Sequence, residues 1–323
     1  MATQIFRNLD EVQFDPRSVI TVGTFDGLHR GHQAILDELK KEARARQGSA
    51  TVVTFDPHPQ VVLQRPDKPP VQILTATDEK IALLQRENVD RIFVIPFTLE
   101  FSRTSSENFV REILHRRAGL QAMVIGHDHG FGKNREGDFA TLQRLGNELG
   151  FAVREVPPFE MNGVTLSSTK VREALLNGNV EKASEYLGRS YTWRGIVERG
   201  DERGRLLGFP TANLRPLDDS KLAPVNGVYA VWVEIESLLH GRAAEEKKHP
   251  AMMNIGVRPT FGKMTRSIEA HLLDFSGDLY GATLNIHFVA RLRHEQKFDS
   301  PQALVEQLRR DKDASLQILA NAM

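Results

Sequence analysis

The chain has 323 residues, more than one ordinary core needs, so two domains are expected. Forty-two basic residues balance forty-two acidic ones and 40% of the residues are hydrophobic, which suits a soluble globular protein better than a dedicated nucleic-acid or membrane binder. The absence of cysteine removes disulfides, thiolate metal sites, iron–sulfur clusters and cysteine nucleophiles together; with no apolar run of membrane length, a cytoplasmic enzyme is expected.

From Val19 to about Val156, short β-branched runs alternate with helical patterns. Strands are expected at Val19–Val22, Thr51–Phe55, Arg91–Ile95, Met123–Ile125 and Ala152–Val156. Between them, His32–Arg46 puts Ile35, Leu36, Leu39 and Ala43 on one face, and Asp78–Arg86 and Ser106–Arg117 repeat the scheme. Such alternation predicts a parallel sheet wrapped by helices, with ligands at the carboxyl ends of the strands. Helical signal continues through Ser168–Leu176 and Val180–Leu187. After Gly188 the period changes: Tyr191–Glu198, Gly227–Glu236, Ser267–Leu273 and Thr283–Leu292 are strand-like, between turns rich in Gly and Pro. An antiparallel barrel or sandwich follows. Gly241–His249 reads as a solvated hairpin loop, and Ser300-Pro301 caps a last helix bearing Leu304, Leu308, Leu316 and Leu319. The domain boundary is expected near Leu187, giving 1–187 and 188–323.

The first strand runs into Thr24-Phe25-Asp26-Gly27-Leu28-His29-Arg30-Gly31-His32, after which a helix begins. Strand, glycine-bearing turn and helix aim free backbone N–H groups at an anion. His29 and His32 are three apart on the first turn, so both rings reach one bound group, and Gly31 lets a phosphate approach the backbone. The competing reading is two capping histidines. No G-x-G-x-x-G follows the strand, and Gly262-Lys263 lacks the remainder of a P-loop.

TFDGLHRGH resembles the G-x-F-D-G-x-H-x-G-H form of bacterial FAD synthetases within the nucleotidyltransferase superfamily. Thr54-Phe55-Asp56-Pro57-His58-Pro59, the loop 126–137 (GHDHGFGKNREG) and Ser167-Ser168-Thr169-Lys170-Val171-Arg172 are similar to three further family motifs, in order. From Tyr191 onward the chain resembles the flavokinase module, through GRLLGFPTANL (204–214), NIGVRPTF (254–261), IEAHLLDF (268–275) and RLRHEQKF (291–298). The resemblance implies a bifunctional riboflavin kinase/FAD synthetase: a Rossmann-like α/β nucleotidyltransferase domain, then an antiparallel β-barrel flavokinase domain with a C-terminal helix.

The resemblance also implies site residues. His29, His32 and Arg172 are expected to act on the phosphates of ATP, with Gly23, Phe25, Asp26, Gly31, Ser167, Ser168 and Thr169 around the nucleotide. Asp56, Pro57, His58, Asp128, Phe131 and Arg291 are expected on the flavin side. In the second half Gly204, Arg205, Gly208 and Pro210 would fold over ATP. Thr211 and Asn213, sent to one face by strand alternation, offer neutral oxygens to Mg²⁺ already held by phosphates. Glu269 is the candidate base for the riboflavin 5′-hydroxyl, or else a partner of Arg258, Arg266 or Arg291. The implied substrates and products are riboflavin, FMN, FAD and ATP, with no nucleic acid or membrane; a weak or transient homo-oligomer stays open.

Two rivals remain. A tRNA-synthetase-like enzyme shares H-x-G-H and S-S-T-K, but its barrel should carry a basic groove with stacking aromatics. A non-catalytic flavin carrier is opposed by the retained His29, His32, Arg172, Thr211, Asn213 and Glu269.

Overall fold

The computed structural model describes residues 2–64, 69–127, 130–132, 136–200, 204, 207–237, 247–260 and 263–322. The chain divides into two compact units, Met1–Ser168 and Thr169–Met323.

In the first unit the strands are β1 (Gln4–Phe6), β2 (Ser18–Val22), β3 (Ser49–Asp56), β4 (Arg91–Pro96), β5 (Leu120–Gly126) and β6 (Ala152–Val156). They form one sheet in the order β1-β4-β3-β2-β5-β6, with every pair parallel. The helices are α1 (Arg30–Ala45), α2 (Pro59–Val62), α3 (Thr77–Arg86), α4 (Ser106–Asn108) and α5 (Phe139–Leu149). α1 and α3 bury Leu36, Leu39, Ile81 and Leu84 on one face of the sheet. The segment after α4 and α5 bury Phe109, Val110, Leu114, Leu142 and Leu145 on the other. Covered on both faces, β2 is buried throughout and its sequence is a run of apolar residues and small hydroxyls, not an alternation.

From β2 the chain first builds β3 and β4 on one side, then crosses to β5 on the other. This reversal makes the carboxyl ends of β2 and β5 the topological switch point, the place where open α/β sheets take ligands.

All five expected strands are present. β1 is a three-residue edge strand, too short to show a period. The expected helix Ser106–Arg117 is wound as a π-helix from Phe109 to Arg117. α5 was not marked by the apolar pattern; Asp138 caps its start by accepting from the Thr141 N–H at 2.8 Å, and left-handed Gly150 ends it.

In the second unit α6 (Ser168–Leu176) and α7 (Val180–Leu187) lead into six strands. These are β9 (Tyr191–Glu198), β10 (Ala212–Pro216), β11 (Gly227–Ser237), β12 (Lys248–Thr260), β13 (Lys263–Leu272) and β14 (Thr283–Arg293), after the small β7 (Glu160–Met161) and β8 (Val164–Thr165) hairpin of the first unit. Of the barrel and sandwich alternatives the barrel holds: short β10 pairs with both β13 and β9 and closes the ring β10-β13-β12-β11-β14-β9. Trp193, Tyr229 and Phe288 fill its interior. α8 (Pro301–Asn321), capped by Ser300, lays Val305, Leu308 and Leu316 against Phe209, Met252 and Leu273.

The expected solvated loop Gly241–His249 needs correction at its end, while 241–246 lie outside the described residues. β12 starts at Lys248, and His249 is buried with its ring edge-on to Phe275 at 5.1 Å. The polar run continues into a strand that closes on the core.

α6 and α7 are packed with the barrel. The Val225 N–H donates to the Leu175 carbonyl at 3.2 Å, and Val180, Ala183, Tyr186 and Leu187 of α7 are buried. The contact division after Ser168 thus precedes the change of sequence period near Leu187.

Candidate active sites

The turn between β2 and α1 is under backbone strain. Phe25, Gly27 and Leu28 have φ of 47°, 81° and 41°. The left-handed region costs a non-glycine residue about 1–3 kcal/mol and persists only where neighbours over-determine it. Asp26 is the main fastening. Its carboxylate, 2% exposed, accepts from the N–H groups of Leu74 at 2.8 Å and Thr75 at 3.0 Å, and from the Thr75 hydroxyl at 3.2 Å. The Gly27 N–H donates to Thr75 Oγ1 at 3.0 Å, and the Ser168 hydroxyl donates to the Asp26 carbonyl at 2.8 Å.

The turn delivers His29 as the N-cap of α1, its Nδ1 accepting from the His32 N–H at 3.4 Å. The two imidazoles stack at 3.8 Å between centroids, 19° from parallel, and Phe25 lies 5.1 Å from His32. His29 caps through Nδ1, and the pair stands at the positive end of α1, beyond the carboxyl end of β2. At Gly31 a Cβ would meet the His29 ring at 3.1 Å, so a larger residue there would press the stacked ring aside by a few tenths of an ångström.

At the end of β3, Asp56 accepts from the Thr77 hydroxyl at 2.5 Å, and His58 Nδ1 caps α2 by accepting from the Gln60 N–H at 3.1 Å. The Asp56–Pro57 peptide is cis. Phe131 is buried with its ring 5.9 Å from Phe109, which reaches Phe101 at 6.0 Å and Phe55 at 6.5 Å. Asp128 lies outside the described residues.

One residue here had not been singled out. Lys80 of α3 is 3% exposed, and its ammonium donates to the carbonyls of Thr24 and Phe55, each at 3.1 Å. Helical spacing places Lys80 and Leu84 on one apolar face, which was the available signal. Burial pulls its pKa from 10.5 to about 8, while the carboxylates of Asp26 and Asp56 work to raise it. Between about pH 8 and 10.5 the unfolded chain therefore holds a proton that the folded one has lost, so stability rises with pH across that window. Relative to Lys80→Met, the parent should gain roughly 3 kcal/mol from pH 7 to 10.5. Urea unfolding of both proteins, followed by circular dichroism, reads this directly; a pH-independent difference would refute it.

The second unit gathers a different set. The Thr211 hydroxyl donates to Glu269 Oε2 at 3.2 Å. Glu269 sits on β13 directly between Asn213 of β10 and Asn254 of β12. Asn254 was not assigned a role from the sequence. Ile268 and Ala270 are buried toward the barrel interior, so alternation turns Glu269 outward. The loop before β10 folds back here: a Cβ at Gly200 would lie 2.1 Å from Asn213 Nδ2, and one at Gly204 would lie 2.3 Å from the Phe209 carbonyl. Gly208 takes φ 79°, and Arg205 lies outside the described residues.

His271 Nδ1 meets the Pro210 carbonyl at 2.6 Å. Burial lowers the His271 pKa, which keeps the ring neutral with its proton on Nδ1 toward that carbonyl. His271 thus pins Pro210 without adding a charge beside Glu269.

Arg291 is packed into the fold. Its guanidinium donates to the Asn226 carbonyl at 2.5 Å and lies 5.9 Å from the Tyr229 ring, and glycine at 178 and 227 leaves it room. Arg293 is held by Asp311 of α8 at 2.8 Å. Thr169 and Arg172 lie on α6, counted with the second unit, whereas Ser167 and Ser168 end the first.

Each unit thus holds one cluster of polar side chains as its candidate site, the first at the β2–α1 turn and the second on the outer face of β10 and β13. A FAD synthetase family model matches residues 11–170 and a riboflavin kinase model matches 187–319. The bifunctional riboflavin kinase/FMN adenylyltransferase of Escherichia coli strain K12 is 40% identical, over 91% of this chain and 90% of its own. That of Bacillus subtilis strain 168 is 34% identical over 94% and 93%. The crystal structure of a macrolide-efflux protein from Streptococcus pneumoniae matches with a TM-score of 0.84 at 32% identity, covering 98% of this chain and 99% of that one. Efflux is said of that protein; among the described residues here, no helix is long and apolar enough to cross a membrane.

The chain belongs to the bifunctional riboflavin kinase/FMN adenylyltransferase family. It carries both activities, with the FAD synthetase part preceding the riboflavin kinase part.

Proposed function

We propose that adenylyl transfer runs at the β2–α1 turn and phosphoryl transfer on the outer face of β10 and β13. At the first site the FMN phosphate attacks the α-phosphorus of ATP in line and pyrophosphate leaves. His29 and His32 hold the α-phosphoryl oxygens. Preorganised donors are the main device here, because charge grows on those oxygens and no covalent intermediate is needed. Asp26 acts as the fastening of the turn, while Gly23, Phe25, Gly31, Ser167 and Ser168 shape the nucleotide pocket. Asp56, Pro57, His58 and Phe131 face the flavin.

At the second site Glu269 takes the proton of the riboflavin 5′-hydroxyl as that oxygen attacks the γ-phosphorus and ADP leaves. Gly204, Gly208 and Pro210 shape the loop over ATP. The Thr211–Glu269 hydrogen bond is the observation that carries this reading, because it sets a hydroxyl, an amide and a carboxylate together on one outward face.

Mg²⁺ fits the donors. Thr211 and Asn213 offer hard, neutral oxygens, and among the described residues no three His, Asp or Glu side chains converge as a cage. That set suits an ion held mostly by phosphates, which would neutralise their charge. The setting we infer is cytoplasmic, with small-molecule substrates.

Fragments test the division of labour and the boundary at 187/188 together. Residues 188–323 with riboflavin, ATP and Mg²⁺ should make FMN and no FAD; FAD from this fragment would place the chemistry in the wrong half. Residues 169–323 should do the same and be more stable by about 3 kcal/mol or more, because they keep the buried side chains of α7. Equal melting temperatures would remove α7 from the kinase unit.

A further inference from the structure

The β2–α1 turn and the Asp56–His58 loop come from different strands, yet adenylyl transfer requires the nucleotide and flavin elements to keep one register. One buried side chain spans them. Lys80 donates to the carbonyl of Thr24, at the start of the turn, and to the carbonyl of Phe55, immediately before Asp56. The Thr24 carbonyl also accepts from the Thr54 hydroxyl at 3.3 Å, so the ends of β2 and β3 are laced at this point. We propose that Lys80 is a positioning residue for adenylyl transfer, holding the His29–His32 turn and the Asp56–His58 loop in the register that the reaction requires.

Three observations support it. The turn needs external support, since Phe25 and Leu28 are left-handed non-glycine residues. An ammonium is a costly choice on the apolar face of α3, where Ile81 and Leu84 are its buried companions. The charged groups facing it are Asp26 from the turn and Asp56 from β3, and both act to keep it cationic against burial. A neutral apolar chain would fill the same space but leave two carbonyls and two carboxylates without their shared cation.

The inference rests on the reading that this turn is the adenylyl-transfer site. In the full chain, Lys80→Met should lower kcat for FAD formation by about 10–10²-fold, the scale of a small misplacement of reacting groups. KM for ATP and FMN should stay within about three-fold of the parent, with riboflavin phosphorylation unchanged. The lack of cysteine allows a cleaner comparison. The Lys80→Cys variant, unfolded in urea, can be alkylated there alone and refolded. Treatment with 2-bromoethylamine restores an amine at lysine length, whereas 1-iodopropane installs an apolar chain of nearly the same size.

The aminoethylated protein should exceed the propylated one in FAD-forming kcat by at least about ten-fold. Equal kcat values, or a loss confined to KM, would overturn the proposal, and so would an amine that restores cooperative unfolding without restoring turnover. His32→Ala, assayed alongside, separates the two levels. If it keeps FAD synthesis, the site reading falls and the Lys80 inference with it. If it loses FAD synthesis while the two adducts are equal, only the Lys80 inference falls.

Discussion

Glu269→Gln should lower riboflavin kinase turnover by about 10²–10⁴ while leaving ATP binding nearly intact. Glutamine keeps the shape and can still accept the Thr211 hydroxyl, now 3.2 Å from Glu269 Oε2, so the local fold survives. What it cannot do is take a proton from the 5′-hydroxyl. Asn213→Ala should behave differently. Its amide lies against Gly200 and beside Glu269, and removing it takes away a ligand oxygen, so Mg²⁺–ATP binding weakens and raised magnesium restores part of it. In both variants FAD formation from supplied FMN should persist. Calorimetric titration of ATP with Mg²⁺, beside the two activity assays, decides between the roles. If Glu269→Gln lost nucleotide affinity yet kept its turnover at saturation, Glu269 would be a metal or scaffold residue.

His32→Ala should reduce FAD synthesis by about 10²–10³ and let FMN accumulate, since one preorganised donor to the α-phosphoryl oxygens is gone. His32 is the cleaner probe of the pair. His29 caps α1 through Nδ1, so His29→Ala also costs about 1 kcal/mol of helix stability. The two losses are separable: His29→Ala should melt lower, whereas His32→Ala should keep its melting temperature. FAD synthesis within a few-fold of the parent in His32→Ala would make the histidines structural.

Much of the fold was legible in the residues. Strand runs such as Thr51–Phe55 and helical stripes such as Leu36, Leu39 and Ala43 declare their period locally, because burial on a sheet or helix face selects apolar residues at fixed spacing. The change of period after Gly188 announced an antiparallel barrel or sandwich; closure into the barrel needed two strands not read from the period, five-residue β10 and thirteen-residue β12. β1 and the π-winding of Phe109–Arg117 were illegible for a related reason. An edge strand of three residues and a change of helical register leave the composition unaltered.

The site divides along the same line. His29, His32, Thr211, Asn213 and Glu269 could be named from motifs, because turn geometry and anion binding restrict which residue types serve. The tasks of Asp26 and Lys80 could not. Asp26 fastens the loop at Leu74 and Thr75, and Lys80 joins Thr24 to Phe55, partners 25 to 56 residues away in sequence. The sequence by itself determined the two scaffolds and their order, since each is written in local spacing, and its motifs named the candidate reacting groups. Only the tertiary structure decided which polar side chains hold those groups in place, because a hydrogen bond across strands depends on where the sheet brings distant residues together.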